Sequence, residues 1–458
     1  TIKVRGGPDV PIEIRSTRHG PVVADSRPAE MTDSGGEREI LALAATYLAS
    51  DDGTPETALG VNAARSWPEF VTALSQQKVI QQNFGYADVD GNIGFIAPGR
   101  VPVRERRQGL VPAPGWTGDA DWQGYVPFDA LPRVLNPPAD LIINANNRIV
   151  GPGYPWYLGS GWDAGFRAQR IADLLSAGRE HTVASMAAMQ IDTVSLMAAT
   201  LLPLMLARMP ADSPHAEVLE RLRAWAAKAD MAPDRPEPLI FAAWLRAFNE
   251  QIAGDKLGDL FAAYWGYRPL FVERVLRDRP LWCDRPVTPE IEDCSARLDQ
   301  SLGRAMSELE AELGADWPTW HWGALHEARF DHLLLGRLPV VRSFVNVRTP
   351  IGGGNDTILR AASNIGSPDH PFAAIHGAGF RAVYDLADLA RSLFVIAPGQ
   401  SGNPLSLHYR DLLPTWRSGG GVSLGPSRDQ LEAGATARLV LTPEGTPGRS
   451  ANGRPASK

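Results

Sequence analysis

The sequence predicts an α+β protein in which a sheet core is interrupted by a helical insertion. Two observations carry the prediction. Apolar residues alternate with period 2 near both ends of the chain, and between those zones they recur at i, i+3 and i+4. Strands at both ends with helices between them point to one α+β core, not to βαβ repeats, and no internal repeat of fixed period is present. The resulting division is a first part of the core over 1–178, a helical insertion over 179–335, a second part of the core over 336–445 and a disordered tail over 446–458.

Each element has its own signal. Val10 to Arg15 alternates as a strand would, after the turn residues Gly6-Gly7-Pro8. Strand patterns on both sides of Asp90-Gly91-Asn92, ending in Ile93-Gly94-Phe95-Ile96, predict a hairpin whose turn favours positive φ. Residues 99–140, rich in Pro, Gly and Trp, read as a long ordered loop, and Leu141-Ile142-Ile143 as a short buried strand running into Asn144-Ala145-Asn146-Asn147. Helical spacing then covers 163–178, 183–209, 215–230 and 237–252. The clearest helix is predicted to start at Thr288-Pro289-Glu290, a cap followed by Pro in the first turn, and to carry Ile291, Cys294, Leu298, Leu302, Met306, Leu309 and Leu313 on one face. Strand signals return at Ile358-Leu359, Arg381 to Tyr384, Leu393 to Ile396 and Leu439 to Leu441.

Composition narrows the function. The 458 residues are 44% hydrophobic, enough for a sizeable core. With 45 Lys plus Arg against 52 Asp plus Glu the net charge is −7, which disfavours sequence-independent nucleic-acid binding. Only 5 of the basic residues are Lys, which fits G+C-rich coding better than a phosphate-binding design. No run approaches the ~20 apolar residues of a membrane helix; the longest, Leu196 to Ala207, contains Thr200 and Pro203 and stops at Arg208. The start shows no apolar region of a signal peptide, and the first residue is not Met. Cys283 and Cys294 lack zinc spacing; they are either one short-loop disulfide or two buried thiols.

Several motifs invite chemistry and fail on spacing. Asp88-x-Asp90-Gly91-Asn92 starts like a calcium loop, but the twelfth position is Gly99 instead of Glu. In Gly399-Gln400-Ser401-Gly402 the second Gly comes one place early for a nucleophile elbow. His326-Glu327 lacks a His four residues after the first, so a His321, His326 and His332 metal cluster is the weaker reading beside buried or interface histidines among Trp317, Trp320 and Trp322. Gly352-Gly353-Gly354-Asn355-Asp356 has no Lys-Ser/Thr after it to bind phosphate. No Ser-His-Asp set can be named from spacing alone.

Five segments in order nevertheless resemble the penicillin acylase family of N-terminal-nucleophile (Ntn) amidohydrolases. They are Thr17-Arg18-His19-Gly20-Pro21-Val22-Val23; Tyr86-Ala87-Asp88-Val89-Asp90-Gly91-Asn92-Ile93-Gly94; Asn144-Ala145-Asn146-Asn147 with Gly165-Phe166-Arg167-Ala168-Gln169-Arg170-Ile171; Gly354-Asn355-Asp356-Thr357; and Ala397-Pro398-Gly399-Gln400-Ser401-Gly402 with His408-Tyr409. Trp320-His321-Trp322-Gly323, with His326, is similar to the branch of acyl-homoserine-lactone and lipopeptide acylases. The resemblance implies an αββα sandwich of two antiparallel sheets between helix layers. It implies a precursor that cuts itself to free a Ser at the start of a β chain. That Ser attacks an amide carbonyl with its own α-amine as base, and an acyl-enzyme follows.

By position, Asn146 matches the family's oxyanion-stabilising Asn, Arg167 the Arg that supports it, and Gln82 an acyl-pocket position that is apolar in penicillin-type members. The substrate implied is a small acylated amine, the partners are the family's α chain and early β chain, and the intact parent is expected in the periplasm or outside the cell. No cofactor is required. Family members often hold a structural calcium, but Trp156-Tyr157-Leu158, after Tyr154-Pro155, offers no carboxylate for it. Only 18 residues precede His19, so the nucleophile, the front of the β chain and the α chain are expected to lie outside these residues. Thr1 resembles an internal strand residue more than a nucleophile. The isolated chain is then expected to be inactive; the rival reading is a non-catalytic binding module that keeps the sandwich.

Overall fold

A computed structural model describes residues 1–23, 40–105, 109–178, 180–285, 288–425 and 428–441. The expected tail over 446–458 lies outside the described residues. The chain divides into two compact units, Thr1–His181 with Ala188–Ala378, and Thr182–Ala187 with Gly379–Lys458.

The core of the first unit is helical. Helix Glu237–Leu257 is apolar on nearly every side, as a helix surrounded by protein must be, and it packs against helix Cys294–Leu313. Between them Trp244 is fully buried, and its indole N–H donates to Leu298 O (3.0 Å) and Ser301 Oγ (3.1 Å). Helices Leu196–Leu206, Ala216–Ala226 and Pro269–Arg277 complete this core with Leu201, Leu222 and Val275. The predicted 183–209 helix is two helices, Val183–Met189 and Leu196–Leu206. Ser195 begins the second by accepting from Ala198 N at 3.1 Å, and the preceding Val194 pairs with Asp230 as a bridge. The predicted start at Thr288 is also displaced. Asp293 is the cap, accepting from Ala296 N at 2.9 Å, and Ile291 is 87% exposed before the helix begins. Cys283 and Cys294 form a disulfide that ties this helix to the short turn Pro280–Cys283.

The hairpin is as predicted: strands Phe84–Ala87 and Ile93–Ile96 pair antiparallel, and Arg133–Leu135 adds a third strand. Its turn is closed by Asp88, whose carboxylate accepts from Asp90 N, Asn92 N, Asn92 Nδ2 and Tyr86 Oη. Those hydrogen bonds hold the carboxyl below its ordinary range, and Gly91 supplies a φ of +89°. The Asp-rich sequence is thus turn chemistry. A four-stranded sheet in the order Ala361–Ser363, Ala374–Gly377, Glu327–Phe330 and Val347–Pro350 lies elsewhere in the same unit.

Other strand expectations shift. Residues 99–140 are not all loop, since Pro102–Arg104 pairs with Trp122–Tyr125. Val10–Arg15 is exposed and only Val10 forms a bridge, to Ile2. Leu141–Ile143, Ile358–Leu359 and Leu439–Leu441 are in no described strand. Alternation marks a face that can be buried, but a strand also needs a neighbour for its N–H and C=O groups. In the second unit, Phe380–Val383, Leu393–Ile396 and Val422–Ser423 form a three-stranded antiparallel sheet.

Candidate active site

Asn146 and Arg167, 21 residues apart, meet in the first unit. Asn146 sits at φ +62°, a left-handed conformation that Asn tolerates better than most residues. The turn is built by its neighbours: Asn147 Oδ1 accepts from Ala145 N (3.0 Å), and Asp163 N donates to Asn146 O (3.0 Å). Arg167 is the second residue of helix Phe166–Ser176 and is 9% exposed. Its Nη2 donates to Ala145 O (2.7 Å), Asn146 Oδ1 (2.8 Å) and Asp163 Oδ2 (2.6 Å).

A second arginine closes the group from far along the chain. Arg360 Nη1 reaches Asp163 Oδ2 at 3.1 Å and Asn146 Oδ1 at 3.5 Å. It is placed by its bridge to Gly354, immediately before strand Ala361–Ser363. Asp356 lies in the same loop, between Gly354 and Arg360. Burial pushes its carboxyl up to about 6; Arg167 pulls it down, Asp163 pushes it up and Arg360 pulls it down. Two cations and two carboxyl groups therefore share one small volume.

This arrangement fixes the direction of the Asn146 amide. A guanidinium can only donate, so the atom facing Arg167 and Arg360 is the carbonyl oxygen. Nδ2 must then point the other way as a donor, and Asn146 is an exposed residue. A neutral amide held in one orientation and polarised by two cations is suited to receive negative charge developing on a carbonyl oxygen.

The other sequence candidates lie elsewhere. Gln82 is exposed just before strand Phe84–Ala87 and makes no hydrogen bond to Asn146 or Arg167. Thr1 is exposed beside the Ile2–Val10 bridge. The three histidines do not converge: His321 Nδ1 lies 3.3 Å from Asp234 O, and His332 Nδ1 accepts from Leu334 N and Leu335 N. His326 is buried, stacks on Trp322 at 4.1 Å and bonds Phe372 O at 2.7 Å. Burial lowers the His326 pKa to about 4, so it is a neutral core residue. Among the described residues no group of three or more His, Cys, Asp or Glu is placed to hold a metal ion.

Asp163, Arg360 and Asp356 are the residues that sequence reading missed. Asp163 had a signal, since it stands four residues before Arg167 at the start of a helix. Asp356 stands in Gly354-Asn355-Asp356-Thr357, where nothing local distinguishes it from a loop carboxylate. Arg360 had none, because its 214-residue separation from Asn146 is closed only by the fold.

The His-Gly-Pro segment has a structural account. His19 Nε2 is 2.7 Å from Asp121 Oδ1, and Arg18 donates to Asp121 and to Gly115 O. At Gly20 a side chain would lie 2.2 Å from Leu43 O, so only Gly fits.

Comparison with known proteins gives these residues a context. The family model "Penicillin amidase" matches residues 1–433. Penicillin acylase 2 proenzyme of Pseudomonas sp. (strain SE83) is 31% identical over 449 residues, covering 96% of this chain and 55% of that protein. Acyl-homoserine lactone acylase QuiP of Pseudomonas fluorescens (strain Pf-5) is 31% identical over 470 residues, covering 97% and 55%. The chain spans about half the length of the curated relatives it matches. Among solved structures, thermostable penicillin G acylase from Alcaligenes faecalis superposes with a TM-score of 0.69 over 97% of this chain and 81% of that one, at 22% identity, a likeness of fold. With a family model over nearly the whole chain and a relative at 31% identity, this chain belongs to the penicillin amidase family.

Proposed function

We propose that these residues are part of an amidohydrolase that cleaves the linear amide of a small acylated amine, on the αββα sandwich of the Ntn hydrolases. In this reading Asn146 Nδ2 donates to the oxyanion of the tetrahedral intermediate, and Arg167 and Arg360 hold the amide that does so. The observation that carries it is the Arg167–Asn146 hydrogen bond at 2.8 Å, which leaves Nδ2 as the outward donor.

The nucleophile is a Ser N-terminal to Thr1 and outside these 458 residues. Its hydroxyl attacks the amide carbonyl while its α-amine, with a pKa near ~8, takes the proton. That proton passes to the leaving amine, and the acyl-enzyme is then hydrolysed by water. No step passes through a metal. The names of the relatives suggest two substrate types, an acylated β-lactam nucleus and an N-acyl-homoserine lactone. The disulfide suits an exported protein.

The test is made on protein from the whole natural reading frame, with both amides as substrates. Asn146→Ala is expected to lower kcat by ~10²–10³ with a smaller change in KM. Activity within about threefold of wild type would sink the assignment. Reading the gene upstream of the Thr1 codon for an in-frame Ser at a processing junction tests the nucleophile separately.

A further inference from the structure

A second polar cluster, away from Asn146, is built on the four-stranded sheet. Strands Glu327–Phe330 and Val347–Pro350 pair so that Arg329 stands directly opposite Arg348. Directly opposed side chains have Cβ atoms about 5 Å apart, and like charges so placed repel. Arg348 is compensated by an ion pair with Asp331. Arg329 has no such partner: its Nε is buried with no hydrogen bond, and no ion pair reaches it among the described residues. A buried guanidinium N–H left unpaired carries the full cost of its desolvation.

The segment after the first of these strands turns the pair into a cleft. His332 N donates to Asn346 Oδ1 at 3.1 Å, which pins the loop back onto the start of the second strand. A side chain at Gly336 would lie 2.3 Å from the same Oδ1, so the turn packs flat against it. Arg337 and Arg342, from the short turns Leu335–Arg337 and Arg342–Val345, complete the walls with His370. The cleft holds about 610 Å³, within the usual range for small-molecule sites. Four arginines line it against one Asp, in a protein whose net charge is −7. Neither Arg337 nor Arg342 has an ion-pair partner among the described residues.

We infer that this cleft binds a small organic anion carrying two separated carboxylate or phosphate groups. One group is held by the Arg329–Arg348 pair, and the other by Arg337 and Arg342. The planar guanidinium presents paired donors that match both oxyanion types, and an anion between Arg329 and Arg348 would relieve their repulsion. The inference concerns binding alone and does not depend on the amidase reading.

Isothermal titration of the protein from the whole natural reading frame tests it, with citrate, glutarate, fructose 1,6-bisphosphate and acetate as probes. The expected result is saturable binding of citrate, glutarate or fructose 1,6-bisphosphate with a Kd at or below about 1 mM, and none of acetate, which has one group only. The stronger arm names the anion type. Arg329→Gln and Arg342→Gln should each weaken binding about 10-fold or more, while Arg428→Gln, on an exposed helix, leaves it unchanged. Arg342 is exposed, so its variant keeps the test valid if Arg329→Gln perturbs folding. No saturable binding by about 10 mM, or binding that both cleft variants retain, overturns the proposal. That includes the case in which acidic side chains from elsewhere in the natural protein already fill the cleft.

Discussion

Two groups of arginines in one unit are treated oppositely by the fold. At Asn146, Arg167 and Arg360 converge on Asp163, and Arg167 also satisfies a main-chain carbonyl and an amide oxygen. At the sheet, Arg329 and Arg348 are set against each other, and the one carboxylate at hand, Asp331, pairs with Arg348 alone. The first group closes its charges internally, so its ground state is rigid and its outward donor is the Asn amide. The second leaves charge unanswered, so its stability depends on what arrives. A closed network positions a neighbouring group; an open one binds.

Breaking the closed network should give the largest effects. Asn146→Ala is expected to remove ~10²–10³ of kcat, or about 3–4 kcal/mol of transition-state stabilisation, with little change in the urea midpoint, because the residue is exposed. Arg167→Gln should act on both readouts. It strips Asp163 of its shorter ion pair and Asn146 of its anchor, and breaking a buried pair costs roughly 3–5 kcal/mol. Because Arg360 still faces Asp163, the loss should sit near the lower end, about 3 kcal/mol by urea unfolding. If Arg167 acts through Asn146, the double variant will show less than the sum of the two losses in kcat. Strict additivity would separate the two residues functionally.

The comparison also explains what could be read from the chain. Asn146 and Arg167 are singled out by the match of their segments to the family's motifs in order, since taken alone each reads as a turn Asn and a helix Arg; their meeting through a hydrogen bond comes from the fold. The hairpin was legible because Asp88, Gly91 and Asn92 carry its turn chemistry within five residues. Arg360 and the Arg329–Arg348 opposition were not, since both depend on strand register. A shift of one residue would place these side chains on the other face, and no local pattern specifies the register. The late start of helix Cys294–Leu313 teaches the same lesson at smaller scale. Thr288-Pro289 had the right residues for a cap, but Asp284 accepts from Glu292 N, which holds that stretch in a turn and leaves Asp293 to cap.

A subtler effect comes from two groups, half-buried Asp356 and buried His326, that titrate in opposite senses. Asp356, raised from 3.8 to about 6, binds a proton in the folded protein that the unfolded chain releases between those values. Its contribution is therefore fully present below pH 3.8 and lost as pH rises to about 6. His326, lowered from 6.5 to about 4, stays neutral while the unfolded chain takes up a proton, so its contribution is full above pH 6.5 and lost as pH falls to about 4. Each is worth on the order of 3 kcal/mol, and over pH 4–6 they nearly cancel. Asp356→Asn should unmask the histidine, so that stability falls on acidification more steeply than in wild type. His326→Gln should do the reverse. Unfolding midpoints at pH 4, 5 and 6 measure both, and parallel curves for all three proteins would reject the account.

The smallest expected change discriminates best between the two arginine groups. Arg329→Gln removes a charge that has no partner and stands opposite another cation. It relieves a like-charge cross-strand contact, worth roughly 0.2–1 kcal/mol, and it lessens the desolvation of an unpaired group. The variant should thus be as stable as wild type or up to about 1 kcal/mol more stable in ligand-free buffer, where Arg167→Gln loses about 3. Added citrate should reverse the order, because wild type gains RT ln(1 + [L]/Kd), about 1.4 kcal/mol at ten times its Kd, while a variant that binds tenfold more weakly gains about 0.4 kcal/mol. Crossing of the two unfolding midpoints with anion concentration is the predicted signature. If Arg329→Gln instead destabilises the ligand-free protein by more than about 1 kcal/mol, the cleft is as closed as the Asn146 site, and the contrast between them fails.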